Sequence, residues 1–145
     1  MAVTAKLYGL ALKSAFNKEI DWDTDVIKVM LCTSAYTPDQ DTHQYKSSIT
    51  NEVTGTGYTA GGATLATATI AYTAGTNTLV LDAADTAWPG STITARYAVI
   101  YDSTPGTDAT RPLIGYVDFG ADVATTAGTF TITWDAAGII TLAAA

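Results

Sequence analysis

Apolar and polar positions alternate most clearly between Ser91 and Phe119, in STITARYAVIYDSTPGTDATRPLIGYVDF. Ile93, Ala95, Tyr97, Val99 and Tyr101 interleave with Thr94, Arg96, Ala98 and Ile100. That two-residue period predicts a strand with one apolar and one mixed face. A break rich in Ser, Pro, Gly and Asp, from Asp102 to Thr110, separates it from a second β-rich run, Leu113 to Phe119. The pair reads as a hairpin with a long, exposed tip. As the centre of a sheet, such a hairpin requires other segments to cover its faces and edges.

Helical periodicity is confined to the N-terminus, where Thr4 is the expected N-cap of a helix through about Asn17. Leu7, Leu10, Ala11, Ser14 and Ala15 form its apolar stripe, widened by Tyr8, Leu12 and Phe16, while Lys6, Lys13 and Lys18 face outward. Val26 to Cys32 is nearly continuously apolar and predicts a strand buried on both faces. Asp21, Asp23 and Asp25 form an acidic turn leading into it. A calcium-binding EF-hand loop needs Gly at its sixth position and a carboxylate at its twelfth; this chain has Val26 and Cys32 there.

Thr37 to Asp41 is a turn, and Ser47 to Thr64, with Gly55, Gly57, Gly61 and Gly62, is expected to be a flexible surface loop. Leu65 to Tyr72 and Thr78 to Asp82 predict strands joined by the turn Ala74-Gly75-Thr76-Asn77. Asp85 to Gly90 reads as a tight loop in which Trp88 plugs the core, and Gly120 to Gly128 as a small-residue connection. Phe130, Ile132 and Trp134 mark a further strand, and Ala136-Ala137-Gly138 turns into Ile139 to Leu142. The expected architecture is mainly β: one domain spanning residues 1–145, a β-sandwich or squat barrel of about seven or eight strands, with an N-terminal arm and helix over about residues 2–18.

Composition adds what the chain disfavours. Charged residues are 14% of the chain and the formal net charge is −7. Seven Lys and Arg, spread from Lys6 to Arg111, form no basic stripe, so neither nucleic acid nor an anionic membrane is an expected partner. Cys32 is the sole cysteine, which excludes an intrachain disulfide, and its apolar strand predicts an inert thiol. The N-terminal sixteen residues lack the apolar core and cleavage site of a signal peptide, and no run is long enough to span a bilayer, so the expectation is a chain that is not exported. His43 is the sole histidine, which disfavours zinc, and no Gly-x-Ser-x-Gly elbow exists for a serine nucleophile. The chain is expected not to be an enzyme, and no catalytic, cofactor-binding or metal-ligating residue is assigned.

Four segments, EIDWDTDVIKVMLCTSAYTPDQDTH, NEVTGTGYTAGGATL, ARYAVIYDSTPGTDATRPLIGYVDFG and GTFTITWDAAGIITL, resemble a family of small virion structural proteins of tailed bacteriophages. The resemblance covers nearly the whole chain after the N-terminal helix, and GTGYTAGG and TITWDAAGIITL are its most specific parts. It implies a capsid decoration (cement) protein, assembled in the host bacterial cytoplasm onto the outer surface of the head. Its implied partners are the major capsid protein and further copies of itself, with a trimer favoured; a tail- or fibre-associated adsorption or carbohydrate-binding component is the alternative. Candidate contacts are Ala2, Val3, Thr4 and Lys6 in the arm, Tyr36 and Tyr45 around the following loop, and Gly57, Tyr58 and Gly61 in the glycine-rich loop.

Overall fold

The computed structural model describes residues 2–144, which fold into eight strands in two antiparallel sheets, with one α-helix among the described residues. Strands β1 (Thr4–Leu7), β2 (Ile27–Cys32), β3 (Ala63–Thr64), β6 (Thr86–Asp102) and β7 (Leu113–Ile132) form the larger sheet, in the order β1-β7-β6-β2-β3. Strands β4 (Thr69–Thr73), β5 (Thr78–Asp82) and β8 (Ile140–Ala143) form the smaller one, in the order β4-β5-β8. The mainly β architecture with one N-terminal helix, α1 (Gly9–Phe16), agrees with the sequence pattern.

The predicted hairpin is the centre of the larger sheet, but it is much longer than the alternation alone indicates. Trp88 pairs with Phe130 and Thr86 with Ile132, so the expected loop at Asp85–Gly90 is instead the first part of β6. Likewise the expected connection at Gly120–Gly128 and the strand beginning at Phe130 belong to one strand, β7. Pro89, Gly90 and Gly120 are local turn residues, yet the ladder runs through them because register shifts absorb their geometry. Gly90 and Gly120 hold positive φ of 60° and 79°, conformations glycine adopts without strain.

One such shift, between Ala95 and Tyr97, changes which side chains share a face. Between the pairs Ala95–Val123 and Tyr97–Asp118, β6 advances two residues while β7 covers five, so the surplus residues lie on β7 and the faces exchange across the irregularity. Ile93 and Ala95 therefore join Ala98 and Ile100 in one core cluster, whereas Tyr97, Val99 and Tyr101 belong to the other. The unbroken alternation expected from Ile93 to Tyr101 is interrupted at Arg96, whose guanidinium closes the bulge by a forked pair with Asp118, Nε to Oδ1 at 2.6 Å and Nη2 to Oδ2 at 3.3 Å.

Both faces of the larger sheet are consequently covered, as the apolar run at β2 requires. Val29 and Leu31 face the first cluster, with Trp22, Leu65, Trp88, Phe130 and Ile132; Leu81, Ile139 and Ile140 from the smaller-sheet side pack against it. Met30 and Cys32 face the second, with Tyr8, Ala11, Tyr36 and Leu113.

The N-terminal helix is shorter than predicted. Thr4–Leu7 pairs with Asp118–Gly115 as an edge strand, and α1 starts at Gly9 with Tyr8 at its N-cap and no side-chain cap. Long-range ladder bonds override the local helical periodicity of these residues. Tyr8, Ala11 and Ser14 are the buried positions, while Leu12 and Phe16 project into solvent. The expected strand from Leu65 is similarly narrowed: Ala63–Thr64 is β3, Leu65 is a core side chain, and β4 begins at Thr69.

Candidate interaction surface

Three regions carry the sequence-predicted contact residues, and the sheet order separates them. Thr4 and Lys6 lie on β1, one edge of the larger sheet, with exposed Ala2 and Val3 just before it. The glycine-rich loop precedes β3, at the opposite edge. Tyr36 and Tyr45 belong to the long connection after β2, part of which, with α1, covers one face. No single surface unites all nine residues.

The glycine-rich loop is held against the sheet rather than standing free. Glu52 anchors it: Oε1 accepts the Tyr58 hydroxyl at 2.8 Å and the Gly61 amide at 2.6 Å. Tyr58 in turn accepts the Leu31 amide at 3.0 Å, and the Tyr101 hydroxyl donates to the Gly61 carbonyl at 2.7 Å. Burial raises the Tyr58 hydroxyl pKa well above the ordinary phenol range, keeping it protonated. A Cβ at Gly57 would stand 2.8 Å from the Ser91 Cα, and one at Gly62 would overlap the Val29 carbonyl. These glycines therefore allow close backbone packing. Gly57 keeps an exposed position, but Tyr58 and Gly61 spend their hydrogen-bonding groups inside the domain.

Tyr36 is an interior residue, 1% exposed, which corrects its assignment as a contact. Its hydroxyl lies 2.8 Å from the Tyr8 hydroxyl and 3.0 Å from His43 Nδ1. Burial pushes its pKa up to about 12, and the Tyr8 hydroxyl still further. His43 is thus a half-buried partner in a tyrosine network. Tyr45 is half-buried, donating from its hydroxyl to Glu19 at 3.2 Å. Its backbone bridges Pro112 at the tip of the β6–β7 hairpin. That tip is clamped rather than free: Asp108 receives Lys46 at 2.8 Å and Arg111 at 2.9 Å, and the Ser47 amide donates to its carbonyl.

Cys32 is fully buried, and desolvation pushes its thiol up to about 12, so it is protonated and unreactive at neutral pH. Trp22 and Trp88 are 4% and 5% exposed and act as core plugs; the Trp22 indole donates to the Asp82 carbonyl. The acidic turn before β2 is stitched locally, with the Asp21 amide donating to Asp25 Oδ2 at 3.0 Å. No group of three or more His, Cys, Asp or Glu side chains suited to a metal occurs among the described residues.

A groove of about 580 Å³ opens between the β1–β7 margin of the larger sheet and β8 of the smaller one. Val3, Ala5, Leu7, Val117, Phe119 and Ile140 contribute to its walls, together with Trp134, whose indole N–H is buried without an acceptor. The N-terminal arm therefore borders an apolar groove, which pattern reading missed because its walls come from segments distant in sequence. Lys6, Thr131, Thr133, Asp135 and Thr141 add polar groups to these walls. No known protein family, curated protein or solved structure matches the chain.

Proposed function

We propose that this chain is a non-enzymatic virion structural protein of a tailed bacteriophage, a capsid decoration (cement) protein. It binds the outer surface of the head and stabilises the lattice of the major capsid protein. The observation that carries this reading is the resemblance of four segments, which fall in the β2 region, the tethered glycine-rich loop, the β6–β7 hairpin and the β7–β8 connection. They include β2, β3 and parts of β6, β7 and β8, and so draw on both sheets, while β1, β4 and β5 lie outside them. The net charge of −7 suits the outer face of a head, where the packaged nucleic acid does not repel it.

The exposed arm, Ala2 to Lys6, beside the apolar groove is the contact this reading favours. Apolar burial at such a margin, repeated across an oligomer, provides affinity through multivalency. An adsorption module of the tail or fibre would present aromatic rings in loops for sugars to stack on. Trp22 and Trp88 are closed within the core, so they do not favour that alternative.

Quantitative mass spectrometry of purified virions tests the proposal by counting this chain against the major capsid protein. A ratio near one supports decoration of the lattice. A few copies per particle would move the chain to a vertex or the tail and overturn the reading. Deleting residues 2–6 is expected to lower capsid occupancy; full occupancy would remove the arm from the interface.

A further inference from the structure

The smaller sheet has one strongly apolar face, and the domain uses only part of it. In an antiparallel ladder, directly paired residues project to the same side. Ile70 pairs with Leu81 and Leu81 with Ile140; Tyr72 pairs with Leu79 and Leu79 with Leu142. These six large apolar side chains therefore share one face. Leu81 and Ile140 reach the main core. Leu79 and Leu142 are half-buried outside both core clusters, and Ile70 and Tyr72 are 44% and 55% exposed.

The outer edge of this sheet is equally open. Every residue of β4 is exposed, and its outer side has no neighbouring strand among the described residues. Natural edge strands are commonly protected by Lys, Pro, a bulge or an inward charge. Strand β4, TIAYT, has none of these, and its ladder to β5 is regular throughout.

Charge identifies the occupant. From Val53 to Leu81 the chain carries no charged residue, although the whole protein carries −7. Two copies repel each other over most of their surfaces and least where charge is absent. A basic partner would find no acidic side chain on β4 to select it, whereas a second copy offers a matching uncharged edge and apolar face. We infer that the β4 edge and the Ile70–Tyr72 face form a self-association interface, on which a second copy of this chain seats by strand addition. This inference does not depend on where the protein sits in a particle.

The test is the mass of the purified full chain, measured by light scattering on a size-exclusion column over a concentration series. The wild type is expected to form a discrete oligomer. The double variant Ile70→Lys, Tyr72→Lys is expected to be monomeric with an unchanged circular dichroism spectrum, because neither side chain belongs to the buried core. Phe16→Lys, which removes another exposed apolar group, on α1, is expected to leave the oligomer intact. A monomeric wild type, an oligomer that survives the β4 double variant, or one lost on Phe16→Lys would each overturn the inference. Virion copy number is a separate readout, so failure of this interface leaves the decoration proposal standing or falling on its own count.

Discussion

Asp102 pairs with Ile27 where β6 ends against the start of β2, and the nearby Asp25 carboxyl bears on its ionisation. Asp102 is closed from solvent, and its two oxygens differ in surroundings. Oδ1 accepts the Thr104 amide at 2.8 Å, while Oδ2 has no donor. Burial first, and the neighbouring Asp25 second, lift the Asp102 pKa to about 6.

This arrangement makes stability pH-dependent with a definite sign. Between the ordinary carboxylate range and about pH 6 the folded protein holds a proton that the unfolded chain releases, so stability falls as pH rises through that window. Above it, the ionised buried carboxylate carries a constant penalty, on the order of 1–3 kcal/mol. Asp102→Asn removes that charge and keeps an acceptor for the Thr104 amide. It is expected to raise stability at pH 7.5 and to flatten the slope between about pH 4 and pH 6. Urea unfolding across that range checks both; a variant less stable than wild type at pH 7.5 would show that the carboxylate is needed in its charged form.

Gly62 is the tightest point of the glycine-rich loop. Its φ is +77°, and a Cβ there would overlap the Val29 carbonyl on the adjacent strand. Gly62→Ala is expected to cost at least about 2 kcal/mol, because both the conformation and the space exclude a side chain. Gly75, in the β4–β5 turn, has no atom within 4 Å of the point a methyl group would occupy and is the matched control. Gly75→Ala is expected to stay within about 0.5 kcal/mol of wild type. Equal losses at the two sites in thermal melts would refute the packing role of Gly62.

The bulge at Arg96 predicts a coupling across β6 and β7. Arg96 and Asp118 have side chains 19% and 26% exposed, so solvent screens their fork only in part. Asp118 also accepts the Gly120 amide at 2.8 Å, tying the pair to the irregular backbone of β7. A double-mutant cycle with Arg96→Ala and Asp118→Ala is expected to give a measurable favourable coupling. Arg96→Lys retains the charge but loses the fork, and is expected to recover less than half of it. A coupling near zero would mean that the ladder alone maintains the bulge.

The contrast between these local features and the strand pattern shows what the sequence could convey. Within the expected Val26 to Cys32 run, Ile27 to Cys32 is legible as a strand buried on both faces because near-continuous apolarity has few other uses in a β domain, whereas Val26 is exposed and precedes the strand. The turn at Ala74–Asn77 is legible because Gly75 and Asn77 fall between two strand-like runs. By comparison, Thr4–Leu7 becomes an edge strand through bonds to Asp118–Gly115, partners more than a hundred residues away. The bulge at Arg96 carries no composition signal, yet it puts Ala98 and Ile100 in the same core as Ile93 and Ala95, and separates Ile93 and Ala95 from Tyr97 and Val99. The groove beside the arm and the apolar face of β4-β5-β8 are hidden for a related reason: each is assembled by topology from short segments, none of which is distinctive alone.

Tyr36 tests whether an aromatic residue in a polar loop serves contact or structure. Its hydroxyl joins Tyr8 at 2.8 Å and His43 at 3.0 Å, and its ring stands edge-on to Tyr97 with centroids 5.8 Å apart. Tyr36→Phe keeps the ring but leaves the Tyr8 hydroxyl without its partner in a buried setting, a loss expected to cost about 1–2 kcal/mol. Tyr36→Ala also empties a core site, and about 3–5 kcal/mol is expected. A surface contact residue would behave oppositely, with stability unchanged and partner binding reduced. Chemical denaturation of both variants therefore separates the roles. A graded loss from Phe to Ala assigns Tyr36 to the core, while two variants as stable as wild type would return it to the surface.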